Sequence, residues 1–193
     1  MTAKIKLNAA SGGGSFSLQA PSSSSNTRVM TLPDTADGTI LTTTNPKTGN
    51  IIQVVQAVKT DTASFQSTSF ADITGLSASI TPSSNSNKIL VEATIYISTS
   101  NAVAIINFVR GSTNIGQPSS SVTHTGTFFE YNEHQGMVTS AMTFLDSPST
   151  TNATTYKLQI RASNTNFPLY INRYTGANDY YGISTLTLKE IAA

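Results

Sequence analysis

Hydrophobic and polar residues alternate along much of this chain. The clearest run spans residues 88–98, where every second position is apolar and most of the positions between are polar. These apolar positions are Ile89, Val91, Ala93, Ile95 and Ile97. Residues 156–161 alternate in the same way. Because successive side chains of a strand point to opposite faces, a period of two predicts sheets with one buried face.

Four more segments are rich in β-branched residues and predict strands. They are residues 51–58, 102–110, 137–145 and 183–191. Turn-forming residues separate the strand candidates, at positions 82–87, 110–114, 146–152 and 175–179. No segment keeps the i, i+3, i+4 apolar spacing of a helix over three turns. The chain is therefore predicted to be all-β, with an antiparallel, jelly-roll-like β-sandwich over residues 50–193.

The first 45 residues have a different pattern, with very short apolar segments between Ser-, Gly- and Pro-rich stretches. The main apolar positions are Ile5, Leu7, Phe16, Leu18, Val29 and Leu32. Each segment is too short to build a sheet with its own core. This part is either a disordered arm or a set of short strands that pair outside the chain, most simply with identical copies. The regular return of apolar pairs favours the second interpretation, an attachment and trimerisation arm over residues 1–45 with a boundary at 42–50.

Composition narrows the function classes. The chain has 11 basic and 10 acidic residues, and its 11% charged content is far below the usual value of about 25%. No basic surplus exists to neutralise phosphates, so we expect no nucleic-acid partner. No apolar run approaches the roughly 18 residues that would indicate membrane insertion. The chain has 26 Ser and 30 Thr, which predicts a hydroxyl-rich surface. It has no Cys, so neither disulfides nor thiolate zinc sites are possible.

Several segments resemble tailed-phage fibre and virion structural proteins, especially those of marine cyanophages. In the arm they are residues 5–21 (IKLNAASGGGSFSLQAP) and 31–41 (TLPDTADGTIL). Further along they are residues 72–82 (DITGLSASITP), 86–91, 109–115, 146–151, 155–160 and 186–191 (LTLKEI). The resemblance implies a homotrimeric virion protein with a β-rich attachment arm and a distal β-sandwich. No long shaft separates the two parts, which favours a short fibre, a fibre tip or a capsid protrusion.

Two non-enzymatic functions fit this resemblance. The first is a trimeric short tail fibre that attaches to the virion by its arm and presents the sandwich to a glycan or protein of the host surface. The second is a trimeric capsid decoration protein whose arm clamps neighbouring capsid subunits. A polysaccharide depolymerase ranks last. In either of the first two cases the protein is made in the host cytoplasm, binds other virion proteins through its arm and needs no cofactor.

A cluster of tyrosines near residue 175 is the main candidate for receptor binding. Four of the seven tyrosines fall within residues 170–181, mixed with amide and charged side chains. The candidate residues are Tyr170, Asn172, Arg173, Tyr174, Asn178, Asp179, Tyr180 and Tyr181. Aromatic faces stack on sugar rings, and amide and acid groups bind hydroxyls. The alternative is that these rings pack at the edge of the sandwich or between subunits.

Candidate chemistry elsewhere is sparse. His124, Glu133 and His134 carry the right ligand types for a divalent metal, but their spacing matches no standard metal signature, so we expect no metal site. No Gly-x-Ser-x-Gly segment supports a catalytic serine. The ten acidic residues show no pattern that would indicate the carboxylate pair of a glycosidase. The sequence therefore predicts a protein that is not an enzyme.

Overall fold

A computed structural model describes most of the chain. The described residues are 4–19, 22–23, 25, 27, 46–119, 126–132, 136–176 and 180–193. The chain divides into two compact units, Met1–Ile40 and Leu41–Ala193. Within the described residues the regular structure consists of β-strands, and none of it is a helix long and apolar enough to cross a membrane.

Most of the described residues of the first unit form a β-hairpin. Strands β1 (Lys4–Asn8) and β2 (Ser15–Gln19) pair antiparallel, with Ile5 opposite Leu18 and Leu7 opposite Phe16. Because opposite residues share a face, the apolar side chains of Ile5, Leu7 and Leu18 lie together on one side of the hairpin. The hairpin therefore has one apolar side and one polar side.

The second unit contains eleven strands among its described residues, and all of their pairings are antiparallel. They are β3 (Ile51–Lys59), β4 (Ala63–Phe65), β5 (Ala71–Ile80), β6 (Lys88–Ser98), β7 (Ala102–Arg110), β8 (Thr113–Ile115), β9 (Phe128–Asn132), β10 (Met137–Asp146), β11 (Thr154–Ala162), β12 (Leu169–Ile171) and β13 (Ser184–Ile191). They form two sheets. This architecture is a two-sheet sandwich.

Strand β6 is the centre of the first sheet. Along one edge it pairs with β10 over ten residues. Along its other edge it pairs first with β13 and then, near its end, with the short β12. The outer strands on that side are β3, next to β13, and β4, next to β12. The first and last long strands of the unit are therefore neighbours.

In the second sheet, β11 lies between β5 and β7. The far edge of β7 pairs with β9 along its first half and with β8 near its end. A register shift interrupts the pairing of β11 with β5 between Lys157 and Gln159, at the level of Gly75, which has a φ of +90°. A glycine adopts this left-handed conformation without the steric cost that a side chain would bring.

The hydrophobic core fills the space between the two sheets. The alternating apolar residues of β6 are buried there, and so are Leu186 and Leu188 of β13. From the second sheet come Leu158 and Ile160 of β11 and Phe108 of β7. Most strands bury one face because their inward apolar residues recur at every second position, whereas β7, which is apolar at most positions, is buried on both faces.

The predicted fold class is confirmed. Within the described residues the chain is all-β, with a β-hairpin in the arm followed by an antiparallel sandwich, and each strand predicted within residues 50–193 corresponds to an observed one. In the arm, β1 and β2 pair with each other, whereas the sequence predicted pairing outside the chain. Trimer formation stays a prediction. The arm residues Val29 and Leu32 and the boundary residues 42–45 lie outside the described residues.

Candidate binding site

The tyrosine cluster lies at the end of the first sheet where β6 finishes. Tyr170 of β12 is opposite Ser98 of β6. Its neighbours Leu169 and Ile171 are fully buried in the core. Because side chains alternate along a strand, Tyr170 points to the outer face of the sheet. Tyr170 is therefore carried by a paired strand, and the other described members of the cluster lie in the segments that follow β12 and precede β13.

Arg173 covers the ring of Tyr170. Its guanidinium carbon lies 4.2 Å from the ring centroid, within the range of a cation–π contact. The backbone of Arg173 also forms an isolated antiparallel bridge with Tyr181. Through that bridge the segment after β12 and the segment before β13 lie side by side, so that Tyr170, Arg173 and Tyr181 belong to one surface.

Tyr174 and Tyr180 form an edge-to-face pair. Their ring centroids are 5.9 Å apart and the ring planes differ by 87°, which is a favoured aromatic geometry. The Tyr174 amide also donates a hydrogen bond to the Tyr180 carbonyl at 3.2 Å. Tyr180 is 64% exposed and Tyr181 is 60% exposed. Tyr180 and Tyr181 thus hold their rings largely in solvent, while their backbone is bonded to Tyr174 and Arg173. We call the set Tyr170, Arg173, Tyr174, Tyr180 and Tyr181 the tyrosine platform.

Two glycines allow aromatic rings to lie close to the backbone here. A Cβ atom on Gly176 would be 2.7 Å from the ring of Tyr174. A Cβ atom on Gly182 would be 2.6 Å from Cγ of Tyr96, which lies on β6 beneath this segment. Contacts this short do not occur between real side chains, so each glycine is needed for the ring to occupy its position. Tyr96 was not among the sequence candidates, although the alternation of β6 places it on the outer face.

Asn172 anchors the platform from below. Its side chain is fully buried, and its φ of +60° is the left-handed conformation that asparagine tolerates better than most residues. Its Nδ2 donates to the carbonyls of Lys59 and Asp61, at 2.8 and 3.0 Å. Its Oδ1 accepts a hydrogen bond from the Ser184 hydroxyl. Asn172 therefore joins the end of β3 to the start of β13.

The backbone of Asn172 completes this junction. Its amide donates to the carbonyl of Tyr96 at 2.9 Å, and its carbonyl accepts from the amide of Gly182 at 3.1 Å. Every polar group of the residue is thus used inside the fold. Asn172 had been a candidate for ligand contact, and its burial instead makes it a support for the exposed tyrosines.

A buried lysine lies beside this anchor. Lys59 is 2% exposed, and its ammonium group contacts both carboxylate oxygens of Asp61 at 2.9 Å. The hydrogen bond from Lys59 holds the pKa of the exposed Asp61 carboxyl below its usual range. The pair compensates the charge of the lysine at the end of β3, where burial of an unpaired ammonium would be costly.

The other residues that the sequence suggested for receptor or metal binding lie outside the part of the chain that the structure describes. Asn178 and Asp179 of the tyrosine cluster, and the metal candidates His124, Glu133 and His134, lie outside the described residues. Within the residues that the structure describes, no three His, Cys, Asp or Glu side chains are grouped as a metal site.

The arm candidates Ile5, Leu7 and Leu18 are exposed on the hairpin, by 64%, 58% and 39%. The backbone of Phe16 lies opposite that of Leu7. A two-stranded hairpin is at best marginally stable alone in water, and these apolar side chains have no cover within the described residues. The hairpin is therefore suited to contact another surface.

The tyrosine platform combines exposed aromatic faces with one guanidinium group among its described residues. Such a surface can stack on the apolar faces of sugar rings, while phenol and guanidinium groups donate hydrogen bonds to hydroxyl or carboxylate oxygens. No family model matches this chain, and no curated protein is similar to it. The functional interpretation therefore depends on the chemistry of the site and on the sequence resemblance described above.

Proposed function

We propose that this chain is a non-enzymatic structural protein of a tailed-phage virion, a homotrimeric short tail fibre that binds a glycan of the host surface. The arm attaches the protein to the particle, and the sandwich presents the tyrosine platform. The observation that carries the adhesive function is the exposure of Tyr180 and Tyr181 on a backbone fixed by Asn172. The phage assignment is supported by the sequence resemblance.

Multivalency makes a shallow platform sufficient for adhesion. A sugar that stacks on one or two tyrosines gains only a few kcal/mol, so that a single platform binds weakly. Three platforms held in one assembly convert later contacts into intramolecular events, which raises the overall affinity by about 10²- to 10⁴-fold. The rigid support matters for the same reason, because ordering a mobile loop would consume part of that gain.

The test is a binding measurement on the variant Tyr180→Ala/Tyr181→Ala. We expect adsorption to host cells, and binding to their isolated surface polysaccharide, to fall at least tenfold because the stacking faces are lost. Ser77→Ala, a matched exposed position of β5 on the other sheet, should leave both unchanged. Unchanged binding of the tyrosine variant, with an intact fold, would contradict the adhesive function. Digestion of the polysaccharide by the wild-type protein would indicate a depolymerase instead.

A capsid decoration protein is the second candidate function, favoured by the exposed apolar side of the β1–β2 hairpin. Burial of Ile5, Leu7 and Leu18 against capsid subunits would stabilise the shell. Location separates the two functions: labelling of intact virions should place the protein at the tail for a fibre and on the shell for a decoration protein. Deletion of residues 1–45 should abolish incorporation in both cases.

A further inference from the structure

The outer face of the first sheet carries an apolar strip. In register across the sheet, Val54 of β3, Lys189 of β13, Leu90 of β6 and Leu145 of β10 form one row. Further exposed apolar residues lie on the same face or at its margin: Ile51 and Val58 on β3, and Ile183 directly before β13. Ile51, Val54, Val58, Leu145 and Ile183 are each 46–56% exposed. We call these five residues the apolar strip.

The apolar strip has no counterpart on the second sheet. Among the described residues of the sandwich, every large exposed hydrophobic residue belongs to the strip or to the tyrosine platform. The outward positions of β11 are Thr155, Lys157, Gln159 and Arg161. Single exposed apolar side chains are normal on a monomer, but five of them confined to one of the two outer faces favour that face as a contact surface.

The charges on the strip's face suit contact with an identical copy. Lys189 and Glu92 form a salt bridge there, so the middle of the face has no net charge. Lys88 is exposed at the end of this face, in the row of Ile191 and Ile51, but the middle of the face brings no like charges together when two copies meet. The outward residues of β10 are Met137, Thr139, Ala141, Thr143 and Leu145, which are all neutral. Depletion of charge is the compositional mark of the centre of an interface.

The size of the face also suits a contact between two copies. From Leu90 to Ser98 it is about 27 Å long, and four strands place its outer strand axes about 14 Å apart. With side chains included, such a face offers several hundred Å², on the order of the ~800 Å² that each partner contributes to a standard interface. In its middle, Thr94, Ala141 and Thr143 line an open depression of about 220 Å³. Small residues there leave room for a protruding side chain of a partner.

The edge of the sheet continues this surface. Strand β10 keeps an uninterrupted register with β6 over ten residues, and within the described part of the chain no strand pairs with its other edge. Its sequence, MVTSAMTFLD, contains neither Lys nor Pro, and its pairing with β6 has no bulge. Proteins that stay monomeric usually protect an edge strand with a lysine, a proline or a β-bulge. A regular edge beside an apolar face is therefore consistent with cover by another chain.

We propose that the outer face of the first sheet is the surface through which copies of this chain associate, with a second copy as the occupant of the apolar strip. The inference rests on the self-association in the proposed function and names its surface; it does not depend on the place of the protein in the virion. The tyrosine platform lies beyond Ile183, at the end of the face, so the interface and the binding site are adjacent but separate.

The first experiment compares oligomeric states. Val54→Asp/Val58→Asp places two carboxylates on the strip, and Thr74→Asp/Ser77→Asp does the same at exposed positions of the second sheet. We expect the wild type and the Thr74/Ser77 variant to be oligomeric in size-exclusion chromatography with light scattering, and the Val54/Val58 variant to dissociate at least tenfold more readily. A wild type that is monomeric at about 100 μM, a hundredfold above a micromolar Kd, would overturn the proposal.

A second experiment avoids disruptive substitutions. The chain has no cysteine, so a single thiol can report the burial of one position. Gln56→Cys lies on the strip's face between Val54 and Val58, and Ser77→Cys serves as control. We expect thiol labelling of Gln56→Cys to slow at least tenfold as the protein concentration rises through the association range, with no change for Ser77→Cys. Equal labelling of both variants in an oligomeric protein would refute this surface while self-association and adhesion remain.

Discussion

The outer faces of the two sheets are built on the same alternation of side chains but expose different chemistry. On the second sheet, Lys157 and Gln159 of β11 bind the carboxylate of Asp72 on β5, at 2.8 and 2.7 Å. On the first, Val54 and Val58 of β3 are half exposed with no polar role. This difference is the reason that we propose a covering copy for the outer face of the first sheet and none for that of the second.

The change with the greatest expected effect removes the anchor of the tyrosine platform, which exists on the first sheet alone. Asn172→Ala leaves the Lys59 carbonyl and the Ser184 hydroxyl without their partner and places alanine at a φ of +60°. Lost buried hydrogen bonds and backbone strain should destabilise the protein by about 2–4 kcal/mol in urea unfolding. Asn172→Gly removes the backbone strain but does not restore the hydrogen bonds, so this variant should lose less unfolding free energy than Asn172→Ala. A loss below about 0.5 kcal/mol for both variants would refute the anchoring role.

Gly182→Ala should have the next largest effect. The added methyl group would meet Cβ and Cγ of Tyr96, atoms close to the β6 backbone that cannot move away cheaply. We expect a loss of about 1–3 kcal/mol in unfolding free energy, as for overpacking, together with weaker glycan binding because the neighbouring Tyr181 shifts. Gly14→Ala, where no atom lies within 4 Å of the new Cβ, is the control and should be nearly neutral. Equal stability of the two variants would show that Tyr96 accommodates the methyl group.

The two salt bridges on the outer faces test the comparison directly. Glu92 pairs with Lys189 on the first sheet, and Asp72 pairs with Lys157 on the second. In the monomer, Glu92→Gln and Asp72→Asn should each cost no more than about 1 kcal/mol, as exposed pairs do. Only Glu92→Gln should also weaken self-association, because it leaves the Lys189 charge uncompensated under a covering chain. Equal effects on association, measured by sedimentation, would remove the distinction between the faces.

The smallest expected effect is the pH dependence of Asp72. Hydrogen bonds from Lys157 and then from Gln159 hold the pKa of Asp72 below its usual range. A lowered pKa in the folded state means that the pair stabilises the protein above the unfolded pKa of about 3.9 and that this stability is lost as the pH falls through the folded pKa. Because Asp72 is half exposed, the contribution should be below about 0.5 kcal/mol. The difference in unfolding free energy between wild type and Asp72→Asn should therefore disappear in acid; a constant difference would contradict this.

The sandwich could be predicted from the sequence because β6 and β11 each bury one face, so that buried apolar residues recur at every second position. The sequence also predicted the tyrosine cluster because those residues are neighbours in the chain. It did not reveal the apolar strip, since Val54 and Val58 fit a strand whichever way they point. The role of Asn172 was also hidden, because its partner Lys59 is 113 positions away and only the folded chain brings them together.

The pairing of β3 with β13 has a consequence for biosynthesis. Gln56 and Thr187 are neighbours in the folded sheet, yet they are 131 positions apart in the chain. At about 5–20 residues per second, the ribosome needs on the order of 10 s to make that interval. Throughout this delay β3 lacks its strand partner β13, although β5, which packs against it, follows within about twenty residues. The first sheet of this unit is therefore completed only after β13 has been synthesised.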